Sequence, residues 1–186
     1  MPEEYKNDRK WSDEIFYDSA KSEILKSLNL SQLFGIVTNI EPASQEDDNN
    51  YNIDTYINKI PTQVRLQRSF EKKYDDYHPT LRYGRPYDTS TEVRKMIKMY
   101  DSYLKTGNHK MPKYLLWGMI DEKNKLVEIK LIDLRELFED RWIAYNKDDS
   151  YRMTKDQGKF DYKENNDGTS FLIIKTDKYT KYHYER

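Results

Sequence analysis

Cysteine is absent from the chain, which excludes disulfide bonds and metal sites built on thiolates. Histidine occurs only three times, at His78, His109 and His183, and this scatter argues against a histidine-rich zinc site. No apolar run approaches membrane-spanning length, and the N-terminal segment MPEEYKNDRK lacks the apolar core of a signal peptide. We therefore expect a soluble, cytoplasmic protein with no membrane partner.

A strong overall charge is also missing, because 32 Lys and Arg residues balance 33 Asp and Glu residues to a net charge of -1. A nucleic-acid binder of this composition would need a local basic patch. The charged fraction of 35% and the mean hydropathy of -1.09 predict a densely charged surface. The 17 Tyr, 6 Phe and 3 Trp residues nevertheless supply bulk for a core. We expect flexible residues 1–11 and one domain over residues 12–186.

The stretch YNIDTYINKIPTQVRLQR, residues 51–68, predicts two antiparallel strands joined by a tight connection at residues 58–61. Side chains two apart on a strand share a face, so Gln63 and Arg65 should point to the same side of the sheet. Asp54 on the facing strand would lie opposite or diagonal to both. Aspartate is disfavoured within strands, which favours a functional reason for Asp54. The alternative is a half-buried hairpin with a solvated polar face.

Apolar periodicity, turn residues and caps predict the order of the remaining elements. The predicted elements are a helix over 12–28, a strand over 32–40, an acidic loop over 41–50, a helix over 91–105, strands over 113–120 and 125–134, a short helix over 135–142 capped by Asp133, and a last clear strand over 170–176. The apolar run 113–120, KYLLWGMI, indicates a central strand covered on both faces. The order predicts an α/β fold with a mixed central sheet flanked by helices.

Basic and aromatic residues interleave in the irregular stretch that follows the hairpin. The candidate nucleic-acid-binding residues are Arg68, Lys72, Lys73, Arg82 and Arg85. Alternating cations and aromatic rings suit phosphate contact combined with base stacking. The alternative is a solvated loop whose bases are offset by its own acidic residues, and the sequence leaves both interpretations open.

The element order and the residues Asp54 and Gln63-Val64-Arg65 resemble the PD-(D/E)xK nuclease superfamily, over roughly residues 12–120. The resemblance implies a restriction-endonuclease-like αβββαβ core within a single nuclease-like domain. Asp54 matches the acidic residue of the second strand, and Gln63 with Arg65 matches the (D/E/Q)-x-K element of the third. Glu23 matches the acidic residue that many members carry on the first helix. The implied activity is metal-dependent endonucleolytic hydrolysis of DNA, with catalytic residues Glu23, Asp54, Gln63 and Arg65.

Two departures from the family pattern bear on the chemistry. The amide of Gln63 replaces a second carboxylate, which removes one charge from a site that the resemblance predicts to bind Mg²⁺ or Mn²⁺ through Asp54 and Glu23. Arg65 cannot act as a general base, because its guanidinium stays protonated, but it can hold a phosphate and stabilise developing charge. The bound metal would lower the pKa of the attacking water.

Two further hypotheses stay open beside the DNA endonuclease. One is a catalytically inactive protein of the same fold that binds nucleic acid or a protein partner. The other is a structural or interaction protein with no nucleic-acid role, which suits the near-zero net charge. DNA is the expected partner, and a homodimer is left open.

Overall fold

The fold is α/β, with a mixed sheet and helices on its faces. The computed structural model describes residues 11, 14–31, 35–36, 39–68, 78–82, 92–107, 110–139, 143–145, 151–153, 160–164, 170–175 and 177–186. A π-helical segment, Ile15–Ala20, leads into α1 (Lys21–Ser31), followed by α2 (Gln45–Tyr51), α3 (Glu92–Thr106) and α4 (Leu134–Glu139). The described strands are β1 (Ile40–Pro42), β2 (Thr55–Ile57), β3 (Ile60–Arg68), β4 (Thr80–Arg82), β5 (Tyr114–Ile120), β6 (Leu126–Asp133), β7 (Ile143–Tyr145), β8 (Tyr151–Met153), β9 (Phe160–Glu164), β10 (Ser170–Ile174) and β11 (Thr180–Glu185).

The main sheet has the strand order β1-β2-β3-β5-β6-β11. Strands β3 and β5 pair in parallel, and the other neighbours in this sheet pair antiparallel. The parallel pair needs a crossover, and α3 lies between β3 and β5 in the chain. The predicted mixed sheet and the antiparallel pairing of the two hairpin strands are therefore confirmed. Smaller sheets join β4-β10-β9 and β7-β8.

Two apolar clusters cover the opposite faces of the main sheet. On one face α1 packs through Ile24 and Leu28 near Leu116 of β5. On the other face α3 packs through residues such as Met96 near Trp117 of β5. Successive residues of a strand point to opposite faces, so a strand buried by both clusters must be apolar at every position. All residues of β5 are buried, which confirms the prediction of a central strand.

The register of β3 places its polar side chains on the α3 face. Gln63 pairs with Leu115 of β5, and Arg65 pairs with Trp117. Farther along β3, the side chain of Gln67 accepts a hydrogen bond of 3.0 Å from Trp117 Nε1. The strand therefore carries a row of polar groups on the face of the sheet that α3 covers.

The hairpin connection is shorter than the predicted span of residues 58–61. It consists of Asn58 and Lys59, whose φ angles are +48° and +67°. Two consecutive positive φ angles characterise the tight turns that match the twist of antiparallel strands. Pro61 lies inside β3, where it pairs with Tyr56.

The predicted acidic loop over 41–50 is wrong, because most of this segment is helix α2. Ser44 caps the helix by accepting a hydrogen bond of 3.1 Å from Asp47 N, and three acidic residues occupy the first turn. Asn52 ends the helix in a left-handed conformation with φ +53°. Tyr51 belongs to this helix, and β2 begins only at Thr55.

Other boundaries also moved. The predicted helix over 91–105 and the strand over 125–134 are each confirmed to within one residue at either end, and Asp133 Oδ1 caps α4 by accepting from Arg135 N and Glu136 N. The predicted strand over 32–40 lies mostly outside the described residues, and only Ile40 of that span belongs to β1. Residues 1–10 of the predicted flexible N-terminus also lie outside the described residues.

The predicted strand over 170–176 is present as β10, but the prediction that it is the last strand is wrong. Strand β11 extends the main sheet beside β6. Its Tyr182 and Tyr184 pack against the α1 face, and Tyr182 Oη lies 2.8 Å from Ser27 Oγ of α1. No helix in the described part of the chain is both long and apolar enough to cross a membrane.

Candidate functional site

Asp54 lies at the entrance to β2, where its carboxylate contacts the backbone of β3. Its N–H donates a hydrogen bond of 3.1 Å to Thr62 O, and its Oδ2 accepts one of 2.6 Å from Val64 N. The carboxylate thus continues the ladder of hydrogen bonds beyond the end of β2. Because Val64 lies between Gln63 and Arg65, Asp54 is held next to the segment that the resemblance singles out.

Gln63 and Arg65 meet a third residue, Glu92, at one carboxylate oxygen. Glu92 Oε1 accepts hydrogen bonds from both Gln63 Nε2 and Arg65 Nη2. Glu92 is the first residue of α3, the helix that covers this face of the sheet. The structure therefore brings together the amide and the guanidinium that were predicted, and adds an acid that was not.

The other end of the Gln63 amide is buried without a partner. Gln63 is 3% exposed, and its Oε1 has no hydrogen-bond partner among the described residues. The amide orientation is set by Glu92, because a carboxylate accepts hydrogen bonds and only the NH₂ group can donate to it. A buried acceptor left unsatisfied costs about 1–3 kcal/mol. Such a group is expected where a bound ligand completes the coordination.

The backbone of Glu92 is held by the end of α2. Asn52 Nδ2 donates a hydrogen bond of 3.3 Å to Glu92 O, and Lys95 Nζ donates one of 2.5 Å to Asn49 O. Helix α2 is the element that the sequence pattern predicted to be a loop. Its C-terminal end therefore fixes where the first turn of α3 sits relative to β3.

The charges of the group sum to one excess negative charge, from Asp54 and Glu92 against Arg65. The ion pair is largely shielded from water, since the side chains of Arg65 and Glu92 are 24% and 13% exposed. Charge interactions are stronger in such surroundings than on an open surface. Within this group the guanidinium of Arg65 and the carboxylate of Glu92 are already paired with each other.

Glu23 lies away from this group, on the other face of the sheet. Its Oε2 accepts a hydrogen bond of 3.2 Å from Leu126 N at the start of β6. Leu126 is four pairing positions along the sheet and two strands across from Val64. These offsets correspond to about 13 Å and about 10 Å at ordinary strand spacings. The structure therefore does not bring Glu23 together with Asp54, Gln63 and Arg65.

The predicted nucleic-acid-binding residues are described only in part. The guanidinium of Arg68 stacks over the Trp11 ring, with 4.2 Å between Cζ and the ring centroid. Lys72, Lys73 and Arg85 lie outside the described residues, and Arg82 is described only as part of the backbone of β4. The basic patch remains a prediction.

Glu92 is the residue that sequence reasoning missed. The signal for it was weak, because an acidic residue in the first turn of a helix is common and is explained by the helix dipole alone. The sequence separation of 29 residues between Gln63 and Glu92 gives no hint that they touch.

The oxygen atoms at the site suit a hard divalent cation. No group of three or more His, Cys, Asp or Glu side chains that could hold a metal is found among the described residues. Mg²⁺ in proteins is commonly held by only one or two carboxylates together with waters and substrate phosphates. Asp54 and Glu92 supply two carboxylates to this group, and Gln63 Oε1 has no hydrogen-bond partner among the described residues.

No protein-family model matches the chain, and neither the curated proteins nor the solved structures contain a match to it.

Proposed function

We propose that the protein is a metal-dependent endonuclease that hydrolyses DNA phosphodiester bonds at the site formed by Asp54, Gln63, Arg65 and Glu92. The observation that carries the proposal is the contact of Gln63 and Arg65 with Glu92 beside Asp54, where Gln63 Oε1 has no partner in the described part of the chain. The order of elements supports it: apart from the additional elements α2 and β4, the chain runs through α1, β1–β3, the crossover helix α3 and then β5, as the resemblance implies.

Glu92 compensates for the departure at Gln63. The amide in place of a second carboxylate leaves the hairpin with one negative charge, that of Asp54, and Glu92 adds a second from the crossover helix. Asp54, Glu92 and the Gln63 Oε1 are the groups that would hold Mg²⁺ or Mn²⁺. When bound, such a cation lowers the pKa of a coordinated water and offsets charge on the phosphate.

Arg65 has a different role, because it carries a fixed positive charge and does not act as a base. Its planar guanidinium suits bidentate contact with two phosphate oxygens and stabilises the charge that develops on them. Asp54 is oriented for its role by the hydrogen bond from Val64 N. DNA is the substrate expected from the resemblance.

The test is cleavage of plasmid and branched DNA in Mg²⁺ or Mn²⁺ by the wild type and by Asp54→Asn. Loss of a residue that only orients a metal ligand typically reduces activity by about 10- to 100-fold. Because Asp54 would itself hold the metal, we expect the substitution to reduce cleavage by at least about 100-fold. Asp121→Asn is the matched control, because Asp121 also accepts backbone hydrogen bonds but lies at the turn between β5 and β6. Equal activity of Asp54→Asn and wild type would refute the proposal.

The second candidate is a catalytically inactive protein of the same architecture. The ion pair between Arg65 and Glu92 favours it, because each group already compensates the charge of the other. Wild-type protein that binds DNA in a gel-shift assay but cleaves none of it, with or without Mn²⁺, would establish this alternative.

A further inference from the structure

We propose that Glu92 exchanges between Arg65 and a bound cation, so that binding of the cation and binding of a phosphodiester strengthen each other. This inference rests on the proposed function, because it concerns the same site. It adds a regulatory property: in the ligand-free protein, the residue that would bind the cation, Glu92, is paired with the residue that would bind the phosphate, Arg65.

The exchange starts from the shared oxygen. Glu92 Oε1 accepts from both Arg65 Nη2 and Gln63 Nε2, so the charge of this carboxylate is committed to the arginine in the ligand-free protein. A cation that draws on Glu92 competes directly with Arg65. A phosphate that draws on Arg65 competes directly with Glu92.

The movement that this exchange needs is small. The carbonyl of Glu92 is held by Asn52 Nδ2 at 3.3 Å, and the neighbouring turn of α3 is tied to α2 through Lys95. The backbone can therefore stay in place while the Glu92 side chain changes its rotamer. The conformational change is confined to one side chain and helix α3 need not shift, so the main cost is the loss of the Glu92 contacts with Arg65 and Gln63, which the two bound ligands replace.

Reciprocity follows from thermodynamics. If the cation frees Arg65 and thereby raises phosphate affinity, the phosphate must raise cation affinity by the same factor. Couplings of this kind commonly reach about 5- to 150-fold. A direct attraction between the cation and the phosphate would also make each ligand raise the affinity for the other. The exchange must therefore be distinguished by a measurement on the metal-free protein.

The distinguishing measurement is the effect of removing Glu92 on phosphate affinity in the absence of metal. Glu92→Gln removes the carboxylate that competes with a phosphate for Arg65, so the variant should bind dimethyl phosphate several-fold more tightly than wild type in the absence of Mg²⁺. If Glu92 only supported the fold, its removal would leave phosphate affinity unchanged or lower it. Asp101→Asn is the matched control, since it removes the same charge from an exposed position of the same helix.

The experiment titrates dimethyl phosphate, followed by ³¹P NMR, with and without saturating Mg²⁺. We expect wild type and Asp101→Asn to gain roughly tenfold in phosphate affinity on adding Mg²⁺, and Glu92→Gln to gain clearly less. Circular dichroism checks folding. As a second, independent arm, Arg65→Gln should bind Mg²⁺ more tightly than wild type when no phosphate is present.

The outcomes separate this inference from the proposed function. If wild type binds both ligands and Glu92→Gln shows the same coupling and no gain in metal-free phosphate affinity, the exchange is refuted and the site stands. An unchanged or weaker Mg²⁺ affinity in Arg65→Gln has the same meaning. If wild type binds neither dimethyl phosphate nor Mg²⁺, both the exchange and the proposed endonuclease are refuted.

Discussion

Two hairpins of the main sheet each have an aspartate whose carboxylate accepts backbone hydrogen bonds, but only one of these aspartates belongs to a candidate site. At the turn between β5 and β6, Asp121 Oδ1 accepts hydrogen bonds of 2.8 Å from Lys123 N and Lys125 N. At the entrance to β2, Asp54 Oδ2 accepts a hydrogen bond of 2.6 Å from Val64 N. Both carboxylates therefore accept backbone hydrogen bonds and have the same local structural role.

The difference lies in what surrounds them. The Asp121 carboxylate accepts hydrogen bonds from backbone amides of its own turn, so it organises a local loop. Asp54 lies beside an amide with an unpartnered oxygen and a guanidinium paired with Glu92. An aspartate that holds a backbone amide is therefore ordinary, and the functional inference depends on the polar groups that gather next to it.

Removing Glu92 should have the largest effect on stability. Glu92→Ala leaves the guanidinium of Arg65 partly buried without this counter-charge, and loss of one partner from a buried pair typically costs about 3–5 kcal/mol. Because Arg65 is 24% exposed, we expect a smaller loss of about 2–3 kcal/mol. Urea denaturation measures it, and Arg65→Leu in the same chain should recover part of the loss. An unchanged urea midpoint would show that the Glu92–Arg65 contact contributes no more to stability than a local contact of the β5–β6 turn.

Two glutamines on the same face of β3 differ in how their side-chain oxygens are hydrogen-bonded. Gln67→Leu leaves the buried Trp117 Nε1 without the acceptor at 3.0 Å and should cost about 1–3 kcal/mol. Gln63→Leu loses a hydrogen bond to Glu92 but also removes the unpartnered oxygen, so the net change should be below about 1 kcal/mol. The unfolding free energies of the two variants, measured without divalent cations, test this. A larger loss for Gln63→Leu would mean that its oxygen is satisfied within the protein.

The smallest expected effect belongs to Asp121 and depends on pH. Hydrogen bonds from the backbone of Lys125, then of Lys123, together with the charges of these lysines, lower the pKa of the Asp121 carboxyl below its ordinary value. A lowered pKa in the folded state stabilises the protein above the unfolded-state pKa, and this stabilisation is lost as the pH falls through the folded-state value.

Thermal unfolding of wild type and Asp121→Asn between pH 6 and pH 3 measures this contribution. The difference in Tm should be largest near pH 6 and should shrink below about pH 4, where the unfolded chain takes up a proton that the folded carboxylate still excludes. A difference that stays constant across the range would attribute the effect of the substitution to the shape of the side chain and not to its charge.

The sheet was predictable where burial leaves a pattern. The continuous apolar run of β5 and the alternation in β3 follow directly from the layers that cover them. Helix α2 was not predictable in this way, since it buries no residue and forms on the strength of its caps, Ser44 and Asn52. Strand β11 was missed because its tyrosines and charges alternate only weakly in hydropathy.

The site was predictable within the hairpin and not beyond it. Asp54, Gln63 and Arg65 are close in sequence, and strand geometry is enough to place them near one another. Glu92 and Glu23 depend on how helices dock on the sheet, and no local pattern reports this. Docking brings Glu92 to Arg65 and takes Glu23 to Leu126 on the other face.

The parallel pairing of β3 with β5 also has a consequence for the time course of folding. The β2–β3 and β5–β6 hairpins join neighbouring segments, and isolated hairpins close in about 1–10 μs. Gln67 and Trp117, which meet across the parallel pair, are 50 residues apart in the chain. Closing that long loop is slow, because its entropy is lost before the contacts form. The bond from Val64 to Asp54 should therefore appear early during refolding, whereas the Glu92 contact should appear only when the two hairpins have joined.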